Sequence, residues 1–389
     1  MRLRPGVVGL ALAAMAASAC TSARTAPDPD EAPLRPTWSE VRLPAGFEPS
    51  LLAPGPADDL VVAADGAVDG RRPPELLDLT GTTVTSVPVR PAGFYGRRTV
   101  WRGFAAAGRS VYAFGGRSGG AHGNTRWTAW SGTAGPHGRL AEDVQDFETF
   151  GGPTAGGLSA LVAPPGAPPI LLGSRVSEAG SGLDVALWDL ADGRWVRRPS
   201  SGTALAADDD QQPSAHALAL RGDGLLVAGS ITSFGGGVRT QAAVWTAPTT
   251  EGPWTSLLLP TDGDTASSAE TAVCSTDGSC LVAGYAGQRL AAWAVRSDGA
   301  ATALDLPDVA AGPAPTRVEL SSGDGRDALT VVAPDATGRL LVRTGDTWQE
   351  APGPEGALDG CALAAGSLWC VTGSATGARL WRTTLAGSS

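Results

Sequence analysis

The sequence contains no lysine, and this absence excludes several kinds of catalytic site. All 29 basic residues of the 389-residue chain are arginine. Without lysine, the chain cannot form a Schiff base, build a Walker phosphate loop or use an ammonium group as a general base. The 3 histidines are too few and too scattered to predict a metal site, so we expect neither a metal nor a cofactor. His216 falls in a predicted inner strand, where we expect a partly buried structural residue.

An excess of positive charge is also lacking. The formal net charge is -10, which disfavours nucleic acid or a bare anionic membrane as a partner. Tyrosine occurs only 3 times, whereas the chain has 12 tryptophans, 53 glycines and 30 prolines. This composition is typical of a folded protein rich in turns and strands.

The first twenty residues have the features of an export signal. Arg2 and Arg4 precede an apolar run over residues 7–17, which is too short to span a bilayer. The run ends in Ala-Ser-Ala-Cys at Cys20, which resembles the lipobox of bacterial lipoproteins, although Ala17 stands where that family usually has leucine. The resemblance implies that Cys20 carries a lipid. The alternative is ordinary cleavage after Ala19, which would leave Cys20 free.

These features predict where the protein lies. Residues 1–19 are interpreted as a lipoprotein signal peptide and residues 20–34 as the lipid anchor and a proline-rich tether. The lipid on Cys20 would hold the protein to the outer face of the cytoplasmic membrane, in an extracytoplasmic location. We expect residues 35–389 to form the folded domain and the protein to be a monomer.

Four further cysteines form two closely spaced pairs. They are Cys274, Cys280, Cys361 and Cys370. An even number of cysteines in an exported protein predicts disulfides, and each pair encloses residues typical of a hairpin turn. We therefore predict the local pairings, Cys274 with Cys280 and Cys361 with Cys370. A four-thiolate zinc site is the alternative, although its spacing would be unusual.

A repeat runs through the rest of the chain. A short β-run that ends in a small residue occurs seven times: VVAAD (61–65), VYAFGG (111–116), ILLGS (170–174), LVAGS (226–230), LVAGY (281–285), VVAPD (331–335) and CVTGS (370–374). A second run follows with tryptophan at its centre, or with Leu77 or Val342 in two copies, and a third run opens with tryptophan. With one preceding strand, each copy has four strands, which predicts an all-β, seven-bladed β-propeller.

The beginning of the domain carries the signature of a third run. Residues 37–44 read Thr-Trp-Ser-Glu-Val-Arg-Leu-Pro, whereas the seventh copy has only three strands of its own. We therefore predict that this N-terminal strand completes the last blade. Such closure removes the sheet edge that an open ring would expose.

The repeat resembles two propeller families. VYAFGG followed by a tryptophan strand resembles kelch repeats, whereas TTEGPWTSLLLP and RTGDTWQEAPGP resemble degenerate Asp-box turns of the sialidase type. The shared element is structural in both families, so the resemblance implies the fold and no activity. We interpret the tryptophans as packing between blades rather than as a sugar-binding surface.

One rim of the predicted propeller has unusually long loops. Loops between second and third strands are long in blades two to four (117–125, 175–183 and 231–240), and the inter-blade loops of the same sector are also long (91–98, 147–157 and 201–213). Long loops are often functional, so we place a binding site there. Its candidate residues are Tyr95, Arg97, Arg117, His122, Arg126, Arg175 and Arg239. Arginines would bind carboxylate, phosphate or sulfate groups.

These observations favour a platform that recognises an envelope protein or glycan, without catalytic residues. The alternative is a glycan-cleaving enzyme of the sialidase type, which requires that Arg117, Arg175 and Arg239 converge beside a carboxylate and Tyr95. A purely structural propeller would show no pocket on the rim. The aspartates at 208–210 are interpreted as a solvated acidic loop, with a calcium site as the alternative.

Overall fold

A computed structural model describes residues 34–55, 59–119, 123–180, 182–310, 317–323, 325–332, 338–374 and 377–385. The predicted signal peptide, Cys20 and nearly all of the predicted tether lie outside these residues. The chain begins its described part with β1 (Ser39–Val41) and then forms seven sheets arranged as a seven-bladed β-propeller. Within each blade, consecutive strands pair antiparallel from the innermost to the outermost.

The first three blades occupy the N-terminal half of the ring. Blade 1 comprises β2 (Leu51–Pro54), β3 (Leu60–Ala64), β4 (Glu75–Thr80) and β5 (Thr83–Val87). The short strand β6 (Val89–Arg90) and a 3₁₀ helix (Gly96–Arg98) lead to blade 2, which comprises β7 (Val100–Ala107), β8 (Ser110–Ser118), β9 (Thr125–Thr133) and β10 (Arg139–Asp143). The one-turn helix α1 (Phe147–Phe150) precedes blade 3, with β11 (Ala155–Val162), β12 (Ile170–Val176), β13 (Leu183–Ala191) and β14 (Arg194–Arg197).

Blades 4 to 7 repeat the same order. Blade 4 comprises β15 (Gln211–Arg221), β16 (Gly224–Ser233), β17 (Arg239–Ala247) and β18 (Thr255–Leu258). Blade 5 comprises β19 (Ser267–Cys274), β20 (Cys280–Ala286), β21 (Arg289–Val295) and β22 (Ala301–Leu304). Blade 6 comprises β23 (Arg317–Gly323), β24 (Arg326–Val332), β25 (Gly338–Thr344) and β26 (Thr347–Ala351). Blade 7 has β27 (Ala357–Ala364), β28 (Ser367–Ser374) and β29 (Gly377–Thr383).

The N-terminal strand closes the ring, as the sequence predicted. Strand β1 pairs antiparallel with β29, and Glu40 lies opposite Trp381. The indole N–H of Trp38 donates a hydrogen bond to the carbonyl oxygen of Pro352 at 3.0 Å, and Trp38 also packs against the core of blades 6 and 7. The last blade therefore has four strands, of which the first in sequence is the outermost.

The central tryptophans pack between neighbouring blades. Trp188 contacts the apolar core of blade 2, Trp245 that of blade 3 and Trp293 that of blade 4, and each is almost fully buried. A tryptophan side chain removes about 150–250 Å² from water when it is buried. The structural role predicted for these residues is confirmed.

Blade 6 departs from the predicted repeat. The residue that packs toward the preceding blade is Leu341, not Val342, and it lies opposite Leu329 on β24. The repeated β-run therefore occupies residues 328–332 instead of 331–335. Strand β24 ends at Val332, and the nearby Pro334 has no N–H group with which to extend the ladder.

Both predicted disulfides are present. Cys274 is bonded to Cys280 and Cys361 to Cys370, and each pair lies directly across two neighbouring strands. The alternative of a four-thiolate zinc site is wrong because all four sulfur atoms are used in disulfides. Disulfides are typical of proteins exported from the cytoplasm. Within the described ranges, no helix is long and apolar enough to cross a bilayer.

Candidate functional site

All long loops of the predicted rim emerge on one face of the ring. Because the first and second strands of a blade are antiparallel, the first strand begins where the second one ends. The inter-blade loops and the loops between second and third strands therefore share one side of the propeller, which we call the loop face.

Tyr95 and Arg126, two of the predicted residues, line one pocket on the loop face. The pocket has a volume of about 380 Å³, and its other lining residues include Trp127, Phe147 and Phe150. The guanidinium carbon of Arg126 lies 4.5 Å from the centre of the Phe147 ring. This pocket, which we call the aromatic pocket, combines an apolar wall with a cation above it.

The loop that carries Tyr95 is held by a carboxylate of the neighbouring strand. Oε2 of Glu142, on β10, accepts hydrogen bonds from the backbone N–H groups of Ala92 and Gly93 at 2.5 and 3.0 Å. A Cβ at Gly96 would lie only 2.1 Å from the same oxygen. A side chain at this position would therefore displace the Glu142 carboxylate from the backbone groups that it binds.

A second pocket adjoins the first and contains three arginines. It has a volume of about 520 Å³, and Gln145 and Asp146 line both pockets. Arg194 lies 3.5 Å from Asp146, and Arg197 lies 2.5 Å from Glu178. The third arginine is Arg175. We call this second cavity the arginine pocket.

The guanidinium group of Arg175 makes no hydrogen bond or ion pair with any described residue. Burial, together with the positive charge of Arg197, lowers the pKa of the Arg175 guanidinium, while Glu148 opposes the shift. Two neighbouring guanidinium groups repel each other because both are positively charged. An anion bound between them offsets this repulsion, so such a pair favours anion binding. The arginine pocket is therefore suited to a carboxylate, phosphate or sulfate group.

Asp143 joins the outer strands of blades 2 and 3 beneath the two pockets. Its Oδ1 accepts a hydrogen bond from Ser131 Oγ at 2.6 Å, and its Oδ2 accepts one from Trp195 Nε1 at 3.1 Å. Burial raises the pKa of the Asp143 carboxyl, and these two hydrogen bonds oppose the rise. We assign Asp143 a supporting role because both of its oxygens already have partners.

The remaining predicted residues do not join these pockets. Arg117 donates from Nη2 to the carbonyl oxygen of Gly66 at 3.2 Å, and Arg239 pairs with Asp264 at 3.0 Å. Arg97 is exposed on the 3₁₀ helix, and His122 lies outside the described residues. Arg117, Arg175 and Arg239 thus have separate surroundings, and these contacts do not provide the convergence that a sialidase-type site requires.

Exposed apolar side chains concentrate on the same sector of the loop face. Ten large apolar residues are exposed among those the structure describes, and eight of them lie on the loop face of blades 1 to 4. These eight are Val68, Phe94, Val144, Phe147, Val176, Leu183, Phe234 and Val238. Such concentration is typical of a surface that another molecule covers.

The acidic run at 208–210 has no arrangement that would bind calcium. Oδ1 of Asp208 accepts hydrogen bonds from the backbone N–H groups of Asp210 and Gln211, so this carboxylate stabilises its own turn. Over the part of the chain that the structure describes, no group of three or more His, Cys, Asp or Glu side chains could hold a metal ion.

Sequence reasoning missed the central channel. A cavity of about 330 Å³ is lined by residues of all seven inner strands: β2, β7, β11, β15, β19, β23 and β27. In five blades the inner strand has a bulge at which the ladder skips one polar residue: Arg102, Ser159, His216, Glu270 and Asp359. A bulge re-aims its side chain, and the first four of these residues line the channel. Strand β11 has a further irregularity between Ala155 and Leu158, where glycines are skipped.

His216 is partly buried in an inner strand, as the sequence predicted, and two polar side chains lie beside its ring. Its Nδ1 lies 3.5 Å from Oε2 of Glu270, and its Nε2 lies 3.4 Å from Oγ of Ser214. An alignment of the seven inner strands with one another would have indicated this ring, because a polar residue interrupts an otherwise apolar strand at a corresponding place in several blades.

Comparison with solved structures agrees with the architecture. A catalytically inactive variant of virginiamycin B lyase from Staphylococcus aureus with quinupristin has a TM-score of 0.56 at 12% identity, and the alignment covers 90% of this chain and 100% of that one. The chain is a seven-bladed β-propeller. A streptogramin B lyase has a TM-score of 0.53 at 13% identity over 90% of this propeller and 98% of the lyase.

A third similar structure is an acylaminoacyl peptidase from Pyrococcus horikoshii. It has a TM-score of 0.51 at 10% identity, and the alignment covers 90% of this propeller and 54% of the peptidase. No protein-family model matches the sequence, and no curated protein matches it. At such identities the likeness shows the fold alone, so function must be argued from the pockets and surfaces of this chain.

Proposed function

We propose that this protein is a lipid-anchored, extracytoplasmic recognition module that binds an envelope protein through the loop face of blades 1 to 4. The observation that carries the proposal is the concentration of exposed apolar side chains around the aromatic and arginine pockets. The export signal with Cys20 at its end and the two disulfides support the location.

The two pockets indicate what the partner presents. Arg175 would take an acidic group, because a guanidinium without a partner binds carboxylate or phosphate oxygens in a bidentate manner. Phe147 and the aromatic pocket beside it would take an apolar group. We therefore expect a partner segment in which an acidic side chain lies near an aromatic or aliphatic one.

A protein partner fits the surface better than a glycan. None of the 12 tryptophans, all of which are described, is exposed, and on the loop face only the half-buried Trp127 lines the aromatic pocket. The exposed valines and phenylalanines extend beyond the pockets and form a broad apolar surface. Such a surface is typical of a protein interface.

Cross-linking in the native membrane tests the proposal. The full-length lipidated protein is cross-linked in its membrane, purified and analysed by mass spectrometry. We expect one stoichiometric partner, whose yield falls by about 10-fold or more when Arg175→Ala and Phe147→Ala are combined, because both changes remove central contacts.

The matched control changes an arginine and an apolar residue elsewhere. Arg289→Ala and Leu258→Ala lie on blades 5 and 4, outside the proposed surface, and both wild-type side chains are exposed. We expect this pair to retain the partner. Equal partner yield from both double variants would contradict the proposed surface, and recovery of glycan without protein would contradict a protein partner.

A further inference from the structure

Two residues of the channel wall, His216 and Glu270, lie next to the exposed Ser214, so that a serine, a histidine and a glutamate follow one another in the order that acyl-transfer enzymes use. Ser214 and His216 both belong to β15, and the bulge at His216 brings its ring beside Ser214, while Glu270 comes from β19 of the next blade. His216 lies between the other two. Its Nε2 is 3.4 Å from Ser214 Oγ, and its Nδ1 is 3.5 Å from Glu270 Oε2.

Each of the three groups has the contacts that its role requires. A serine hydroxyl becomes a nucleophile when a histidine nitrogen accepts its proton, and the histidine needs a carboxylate on its other nitrogen to orient the ring. Glu270 is largely buried, with 18% of its side chain exposed, and its second oxygen has no hydrogen-bond partner. Both distances are longer than the roughly 2.6–3.2 Å of a formed catalytic hydrogen bond, as such contacts often are before substrate binds.

Backbone irregularities place these side chains. His216 and Glu270 are the bulge residues of β15 and β19, and a glycine stands opposite each bulge on the second strand. A Cβ at Gly229 would lie 1.9 Å from the carbonyl oxygen of Ser214, and a Cβ at Gly284 would lie 2.0 Å from that of Ser268. The bulged strands can approach their neighbours this closely only where the neighbour has no side chain.

The surroundings supply further polar groups. Tyr285 lies beside Glu270, and burial together with the charge of Glu270 raises the pKa of the Tyr285 hydroxyl. Arg102 lines the same channel from blade 2, on the far side of the ring from Glu270, and makes no hydrogen bond or ion pair with a described residue. An ester with an anionic substituent would bring that substituent near Arg102.

We propose that Ser214, His216 and Glu270 form an acyl-transfer site that hydrolyses an ester bound in the central channel. Ser214 Oγ attacks the carbonyl carbon of the ester and transfers its proton to Nε2 of His216. The bond from the carbonyl carbon to the alcohol oxygen then breaks, and the alcohol leaves with that proton. Water attacks the acyl-serine, His216 takes the proton of the water and returns it to Ser214 Oγ, and the carboxylic acid departs.

A fluorophosphonate probe tests this site without knowledge of the substrate. Such a probe bonds covalently to a serine that an adjacent base activates. The full-length protein in detergent is treated with the probe, digested, and searched for the adduct by mass spectrometry. We expect the adduct on Ser214, and its loss when a neutral phenyl ester is added first as a competitor.

Variants separate an activated serine from a merely exposed one. Ser214→Ala abolishes the adduct, and His216→Gln slows its formation by about 100-fold or more. Glu270→Gln slows it as well, while His137→Gln, which changes an exposed histidine on blade 2, leaves the rate unchanged. Each variant is compared with the wild type in thermal unfolding, so that a loss of fold is not mistaken for a loss of chemistry.

Two results would overturn the proposal. One is the absence of an adduct on Ser214 in folded wild-type protein, and the other is labelling of folded His216→Gln at the wild-type rate. Neither labelling experiment needs the partner of the loop face. Absence of labelling at Ser214 would therefore not contradict the proposed recognition function, and absence of a cross-linked partner would not contradict the proposed acyl-transfer site.

Discussion

At the scale of single residues, side-chain volume between blades accounts for much of the stability. Trp245 is fully buried in the cluster that blades 3 and 4 share, against Leu172, Val185 and Leu205. Trp254, the outer tryptophan of the same blade, is only partly buried at the edge of that cluster. The two positions therefore differ in how large a cavity a truncation would leave.

We expect Trp245→Ala to lower the free energy of unfolding by about 3–5 kcal/mol, because a large aromatic is lost from a core that can relax only in part. We expect Trp254→Ala to lower the free energy of unfolding by clearly less, because this side chain is only partly buried. Denaturant unfolding followed by circular dichroism measures both. Equal losses of unfolding free energy in the two variants would contradict the expectation that the inter-blade tryptophan contributes more to stability than the outer one.

Glycines opposite the bulges provide a second prediction at this scale. In Gly229→Ala the new Cβ would overlap the carbonyl oxygen of Ser214, so β15 must shift. We expect a loss of about 1–3 kcal/mol in the free energy of unfolding and slower fluorophosphonate labelling of Ser214. Gly235→Ala is the control, because nothing lies within 4 Å of its added Cβ. Unchanged stability and labelling in Gly229→Ala would contradict this explanation of the bulge.

At the scale of elements, β1 has an effect larger than its length indicates. It has only three residues, yet it is the outer strand of blade 7 and leaves β29 without an exposed edge. An unpaired strand edge offers free N–H and C=O groups to another chain. The closure therefore stabilises the ring and also protects it from association.

Deletion of residues 37–43 should lower the melting temperature by several degrees and produce oligomers, because β29 then lies at an open edge. Differential scanning calorimetry and size-exclusion chromatography with light scattering measure the two effects. Ser39→Ala with Glu40→Ala keeps the backbone of β1 and should behave as the wild type. A monomeric deletion variant with an unchanged melting temperature would show that the closing strand is dispensable.

At the scale of the whole molecule, the two proposed sites are carried by different parts of the ring. The aromatic and arginine pockets lie on blades 2 and 3, whereas Ser214 and Glu270 belong to the inner strands of blades 4 and 5. Each blade has its own hydrogen-bonded sheet, and neighbouring blades meet through buried apolar clusters. The lining of the channel has no residue in common with the lining of either loop-face pocket.

We therefore expect the two functions to be independent. Arg175→Ala should leave the rate of fluorophosphonate labelling at Ser214 unchanged within about 2-fold, and Ser214→Ala should leave partner yield unchanged, because the substituted side chains share no contact. Labelling rates and cross-linking yields on the same two variants measure this. A change of 10-fold or more in either direction would show that the sites are coupled.

The limits of sequence reasoning follow from how far apart interacting residues lie in the chain. Loop length predicted that Tyr95, Arg126, Arg117 and Arg239 lie on one rim. Tyr95 and Arg126 line a shared pocket there, whereas Arg117 and Arg239 have other partners. Loop length predicts where a side chain emerges but not which way it turns. In blade 6, Leu341 occupies the position assigned to Val342, because pairing with β24 sets the register and the sequence repeat is weak there.

The sequence by itself determined the blade count, the closing strand and both disulfides, because each depends on a short local pattern repeated along the chain or on cysteines across one hairpin. Only the tertiary structure decided which side chains meet in the channel. Ser214 and His216 approach Glu270 because two neighbouring blades place bulges side by side on their inner strands. A bulge exists only where one strand pairs with another, so no single stretch of sequence specifies it.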